Sequence, residues 1–232
     1  MKIPVLFYHK IGYPPPGVKL RNLYVTPEAF SRQLRYLKLR GFRTLTCEEY
    51  FRMRRGERLY SDRTILITFD DGFQNLYTHA FPLLKKFGFT AVVFLVAGDV
   101  GKEVVWQDSE EKFPEKLLEW EEIGEMSEYG IDFQSHGYSH RLLTSLSPPL
   151  LRRELEESRK IIEDKLGKAV KFFAYPYGIY SQQVKDALRK SGYQGAFTTR
   201  KGKEKDDFEI RRAGIKFSHP FWKFIKYVEI GY

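Results

Sequence analysis

Short, nearly continuous apolar runs alternate along the chain with longer stretches in which apolar residues return every three or four positions. The runs at 3–8, 64–69, 91–97, 131–134, 170–175 and 196–199 have the character of parallel strands covered on both faces. A brief run at 42–45 and a mixed one at 210–217 add two more. Helical periodicity fills the gaps at 27–40, 76–87, 120–129, 150–166 and 184–190, and a further helix begins after Thr46. The helix starts are explicit. Thr26-Pro27-Glu28 supplies a cap, a proline at the first helical position and an acid at the positive end of the helix. Thr46 and Glu49 have capping-box spacing. Strand–helix alternation over 232 residues predicts one α/β domain, 1–232, with a mostly parallel sheet, either open or closed into a barrel.

Chemistry-bearing residues cluster where these strands end. Thr68-Phe69-Asp70-Asp71-Gly72 puts two adjacent carboxylates after a buried strand. Like charges that close repel, and burial raises the cost, so a cation is the simplest compensation. The same aspartates would also serve as a helix N-cap. Ser135-His136-Gly137-Tyr138-Ser139-His140 holds two of the five histidines. On a straight strand they would stand about 13 Å apart. A bend at Gly137 lets them converge on one ion, although a surface loop reads equally well. Phe173-Ala174-Tyr175-Pro176-Tyr177-Gly178 ends another strand in a fixed turn whose aromatics would wall a sugar site. Tyr8-His9 ends the first strand. In a barrel all these ends would meet on one face.

Together these blocks resemble the polysaccharide deacetylase family, with its NodB-homology domain (carbohydrate esterase family 4), from the first strand to about residue 199. The Thr-Phe-Asp-Asp-Gly block is the most specific, and Trp120-Glu121-Glu122-Ile123 and Ala196-Phe197-Thr198-Thr199 also look familial. The resemblance implies a distorted (β/α)7 barrel and removal of N-acetyl groups from an N-acetylglucosamine-containing polysaccharide. It makes Asp70 the general base and Asp71, His136 and His140 the ligands of one divalent ion, Zn2+ in the first instance, with Co2+ or Ni2+ as alternatives. It makes the Tyr177 N–H an oxyanion donor, and we expect Tyr175, Pro176 and Tyr138 to touch substrate.

There are three departures. Gly137 stands where many relatives have Ser or Thr, which removes a supporting hydrogen bond. Ala174 stands where many have the arginine that orients the base, so Asp70 needs another partner, with Arg211 or Arg212 as candidates. No clear Leu-x-His block near the C-terminus supplies the general acid. In the branch that acts on poly-N-acetylglucosamine the acid histidine lies near the N-terminus, and Leu6-Phe7-Tyr8-His9 fits that arrangement better than His219 in Phe-Ser-His-Pro. A weak or inactive glycan-binding member of the same fold is the alternative that Ala174 leaves open. A glycosidase would need its two carboxylates about 5–9.5 Å apart across a bond, which neighbouring residues fit poorly.

Charge and composition narrow the partners only slightly. The formal charge of +9 allows association with a membrane surface or an anionic glycan. No recognition helix, zinc finger or RNP-like motif points to specific nucleic-acid binding. Oligomeric state is left open. The single Cys47 forms no internal disulfide and is expected to be a half-buried structural residue. With no signal peptide or spanning segment in view, the default expectation is a cytoplasmic protein, or an extracytoplasmic one if its export signal is absent from this sequence.

Overall fold

The computed structural model describes residues 3–57, 63–106 and 113–231. Among the described residues eight strand segments make the barrel wall, β1 (Val5–Tyr8), β2 (Thr64–Phe69), β3 (Val92–Leu95), β4 (Asp132–Ser135), β5 (Phe172–Ala174), β6 (Gly195–Thr198), β7 (Ile210–Arg211) and β8 (Ala213–Gly214), and a ninth, Arg43–Thr44, pairs parallel with β2 beside this path. Neighbours run in the order β7-β6-β5-β4-β3-β2-β1-β8, and each of these pairs is parallel. The two outer segments, β7 and β8, are consecutive in the chain and separated by Arg212 alone. Residues 210–214 thus act as one seventh strand that pairs with β6 through Ile210 and Arg211 and with β1 through Ala213 and Gly214. The sheet closes by crossing its own seam, giving a distorted (β/α)7 barrel.

Period-two alternation divides the apolar residues between two cores. Val5, Leu66, Val92, Phe94, Phe172, Ala174 and Phe197 pack inside the barrel. Leu6, Tyr8, Ile65, Ile67, Phe69, Val93, Leu95 and Phe173 point outward beneath the helices. The outward set meets the apolar faces of helices such as Pro27–Leu39, whose Phe30, Leu34 and Leu37 are buried as their spacing predicts.

The amino-terminal end of the barrel is sealed by the helix Cys47–Arg54. Its capping box is present, with the Thr46 hydroxyl accepting from Glu49 N and the Glu49 carboxylate accepting from Thr46 N. Phe51 lies flat on Phe172, with centroids 4.6 Å apart and planes 7° from parallel. A Cβ at Gly195 would come within 2.2 Å of the Phe51 ring, so only glycine lets the helix dock this closely. Cys47 is fully buried here rather than half-buried, and burial pushes its thiol well above the ordinary range.

Two further elements differ from the pattern. The run at 210–217 is two segments flanking Arg212, because half of it pairs with each edge of the sheet. The helical stretch at 76–87 begins as a wide π-type turn, Leu76–Ala80, and becomes α-helix only over Phe81–Phe87. Pro82 lies just after the switch from π to α, where its missing N–H interrupts the regular ladder of the continuous helix. Among the described residues, no helix is long and apolar enough to cross a membrane.

Candidate active site

The polar strand ends meet at the carboxyl end of the barrel, as in (β/α) barrels generally. They line a cavity of about 350 Å3 whose floor holds His9, Asp70, Asp71, His136 and His140, with Tyr175 and Tyr177 on one wall and Trp106 and Phe113 on another. Tyr138 and Pro176 do not line it. Tyr138 packs its ring against Gly98 and lies under the Arg153 guanidinium, and Pro176 is buried in its turn. Tyr175 reaches the cavity, but its hydroxyl is committed to the Phe208 carbonyl at 3.0 Å. His9 lines the cavity. His219 does not: it lies beside Lys223, and burial together with Lys223 and Lys216 pushes its pKa down to about 4.

Asp71, His136 and His140 form one buried group. Their candidate donor atoms all lie within 4.8 Å of one another. Asp71 Oδ1 is 3.3 Å from Nε2 of each histidine, and it is fully buried without a well-formed hydrogen bond. A buried carboxylate oxygen without a partner is costly. The two imidazoles are oriented from behind. His136 Nδ1 faces the Ala174 carbonyl at 2.7 Å, and His140 Nδ1 faces the Tyr177 hydroxyl at 3.1 Å. A bond at Nδ1 fixes the ring and directs Nε2 at Asp71, which is the arrangement expected of metal-binding histidines. Two imidazoles and a carboxylate also suit Zn2+ and its neighbours. The residues present therefore fit a divalent ion.

Backbone strain marks the same place. Among the described residues only three other than glycine have positive φ: Asp71 (75°), His140 (54°) and Tyr177 (60°). Such conformations persist where surrounding contacts over-determine them, and they concentrate at functional sites. All three border this cavity.

Asp70 is oriented differently. Thr68 on β2 and Asp70 just past its end point inward on alternate positions, and Arg212 reaches them from the seam. Its guanidinium grips Asp70 bidentately, with Nη1 to Oδ1 and Nη2 to Oδ2 both at 2.7 Å, and also donates to Thr68 Oγ1 at 3.1 Å. Phe7, Phe94 and Phe197 surround the guanidinium within 4.9–5.9 Å. Burial alone would raise the Asp70 pKa. Arg212, helped by His136 and His9, outweighs it and holds the carboxyl below its ordinary value. Asp71 is likewise raised by burial but brought well below the ordinary range by His136 and His140. His136 is lowered by burial and raised more by Asp71 and Asp70, for a net rise. His9 goes the other way: burial wins over Asp71 and Asp70, leaving it below the ordinary imidazole value.

Of the two arginine candidates, Arg212 is the one that meets Asp70; Arg211 turns outward to the Gly202 carbonyl. The cation that Ala174 leaves missing beside Asp70 is thus supplied by Arg212. Trp106 was not foreseen. It stacks on His140 at 4.3 Å and 26°, and its indole N–H donates to Asp99 at 3.0 Å. Nothing in the local pattern singles it out, since only the hairpin pairing of Glu103–Val104 with Glu115–Lys116 brings it over the site.

The family model for polysaccharide deacetylases matches residues 58–196, more than half of the chain. The chain belongs to the polysaccharide deacetylase family. Within that family it is 32% identical over 201 residues to YxkH of Bacillus subtilis, covering 87% of this chain and 66% of YxkH. It is 29% identical over 190 residues to the poly-beta-1,6-N-acetyl-D-glucosamine N-deacetylase of Staphylococcus epidermidis, covering 78% of this chain and 63% of that protein. The chain thus spans just under two thirds of the length of these curated relatives. Among solved structures, the Streptococcus pyogenes deacetylase PplD in complex with acetate superposes with a TM-score of 0.87 at 26% identity, over 99% of each chain. The barrel is therefore shared with this solved deacetylase along its whole length.

Proposed function

We propose that the chain is a metal-dependent N-deacetylase that releases acetate from N-acetylglucosamine units of a polysaccharide. One observation carries the reading: an unpartnered, buried Asp71 oxygen between two imidazole nitrogens, next to a second aspartate already neutralised by an arginine. The similarity to a poly-N-acetylglucosamine deacetylase and to an acetate-bound deacetylase supports the substrate class.

Asp71, His136 and His140 would hold one divalent ion, Zn2+ by donor chemistry, with Co2+ or Ni2+ able to replace it. Such an ion supplies Lewis acidity and lowers the pKa of a water toward neutrality. The chain's own groups do the rest. Asp70, kept ionised by Arg212, takes the proton of the water that attacks the acetamide carbonyl. The Tyr177 N–H faces the oxyanion that develops. His9 gives a proton to the departing amine as the C–N bond breaks, leaving acetate and a free amino sugar. His9 would donate from its imidazolium form, which burial opposes and the neighbouring Asp71 and Asp70 favour; the proton that Asp70 takes from the water restores it once the amine has left. The cavity aromatics Tyr175, Tyr177, Trp106 and Phe113 would hold the sugar faces.

The test is acetate release from N-acetylglucosamine oligomers, with and without chelator, metals being restored one at a time. Asp70→Asn is expected to lower the rate by about 10²–10⁴-fold while metal uptake persists. Full activity in that variant would remove Asp70 from the base role, and wild-type kcat in His9→Ala would remove His9 from the acid role. Shortening of the glycan without acetate would replace this chemistry with glycosidic cleavage.

A further inference from the structure

The turn carrying the two histidines lacks a side chain at its sharpest point and is held from outside. Gly137 has φ 91°, and a Cβ there would approach Glu154 Oε2 to 3.3 Å. The carbonyls of the turn are taken by the extension of β3: Ala97 N donates to Gly137 O at 3.1 Å and Gly98 N to Tyr138 O at 2.9 Å. Its N–H groups need acceptors of their own, since an orphaned buried amide costs as much as a lost hydrogen bond. Glu154, 7% exposed, provides them. Its Oε2 accepts from Tyr138 N and from Ser139 N, each at 2.9 Å, and its Oε1 accepts from the Ser139 hydroxyl.

Glu154 lies on the helix Pro148–Leu166, one turn before Ser158. Residues at i and i+4 share a helix face. Ser158 Oγ contacts Ser135 Oγ at 2.5 Å, and Ser135 Oγ accepts from Gly137 N at 3.1 Å. A single helix face thus grips the turn at two places, at its entry through Ser158 and Ser135 and at its middle through Glu154. The strained φ of His140 follows immediately after the Glu154 contacts.

We propose that Glu154 is a positioning residue that sets the His136–His140 turn in its metal-ready shape before any ion arrives. The inference rests on the metal-centre reading above. Glu154 touches neither imidazole; it acts through the main chain of Tyr138 and Ser139. A carboxylate is suited to the task because one oxygen can accept two converging amides while the other accepts a hydroxyl.

Co2+ binding to the metal-free chain, followed by its visible absorption, tests this without reference to activity. Glu154→Ala is expected to weaken Co2+ about 10–100-fold, the range for loss of an outer partner of a metal ligand. Glu154→Gln keeps an oxygen for the two amides and should recover most of that loss. Glu154→Asp, which folds with the charge kept but the acceptor withdrawn, should lie nearer to alanine. Leu155→Ala, on the same helix and fully buried, should lower Tm while leaving Co2+ affinity in place. Parental affinity and spectrum in both Glu154→Ala and Glu154→Asp would overturn the proposal, as would a glutamine variant as weak as alanine. A parent that takes up no Co2+, or an Asp71→Asn variant that binds it as the parent does, would instead overturn the metal-centre reading.

Discussion

The two ends of the barrel are made of the same strands yet solve opposite problems. At the amino-terminal end, rings and a capped helix fill the interior, with Phe51 on Phe172 and with Tyr50 and Phe51 against Phe197. At the carboxyl end, a few residues further along those strands, the interior buries two aspartates, two histidines and an arginine, and three residues adopt left-handed backbone. The first end gains stability from close packing. The second gives some of it up to hold charge in a dry place, one carboxylate paired and the other left for a ligand. Perturbing the first should move stability alone; perturbing the second should move stability and chemistry together.

Arg212→Met gives the sharpest test. Removing one partner of a buried ion pair costs about 3–5 kcal/mol at neutral pH, and acetate release should fall with it because Asp70 no longer stays ionised. The pH dependence has a definite sign. Asp70 in the folded parent sits below its ordinary value of about 4. Its ionisation therefore contributes stability that is fully present above that value and is lost as pH falls through the lower folded one. In the variant the carboxyl titrates higher, so urea midpoints of parent and variant should converge as pH drops toward 4, and the rising limb of the activity profile should shift to higher pH. A constant gap between pH 7 and pH 4 would mean that the guanidinium serves packing only.

Next in size is the ion itself. At about a thousand times its dissociation constant, Zn2+ should stabilise the chain by about 4 kcal/mol. That increment should survive Phe51→Leu and vanish in Asp71→Asn, as read from denaturant midpoints with and without chelator. Phe51→Leu alone should cost about 1–2 kcal/mol, with kcat/KM unchanged per folded molecule; altered kcat/KM would show that the two ends are coupled. The smallest effect is expected for Trp106→Phe. It loses the indole bond to Asp99 and part of the stacking on His140, and should weaken Co2+ binding by no more than about 10-fold.

Most of the barrel was legible in the sequence because its signals are local. Alternation assigns Leu66, Thr68 and Asp70 to one face, and Thr46 with Glu49 marks a helix start without reference to anything distant. The convergence of the Asp70-Asp71 and His136–His140 blocks followed from strand ends in a barrel, whereas the choice of Asp71 as the one that joins the two histidines came from the family resemblance. What escaped depends on contacts between remote segments. Alternation places Ile210 and Arg212 on one face and Arg211 on the other, but which face is interior is decided only by the closed seam. Glu154 looks like any other acid in a helix rich in Glu and Arg, and its role exists only because the fold brings it to the amides of Tyr138 and Ser139. Tyr138 seemed to face a sugar, yet the turn folds its ring onto Gly98.

The seam carries a consequence for the order of events during synthesis. Arg212 and the aspartate it neutralises are 142 residues apart, and the segment bearing the arginine is also the last staple of the barrel. A ribosome-bound chain that has emitted both aspartates and both histidines still has two open sheet edges and an unbalanced carboxylate. Closure of the wall and neutralisation of Asp70 are then one step, taken only once the chain has emerged past the seam segment.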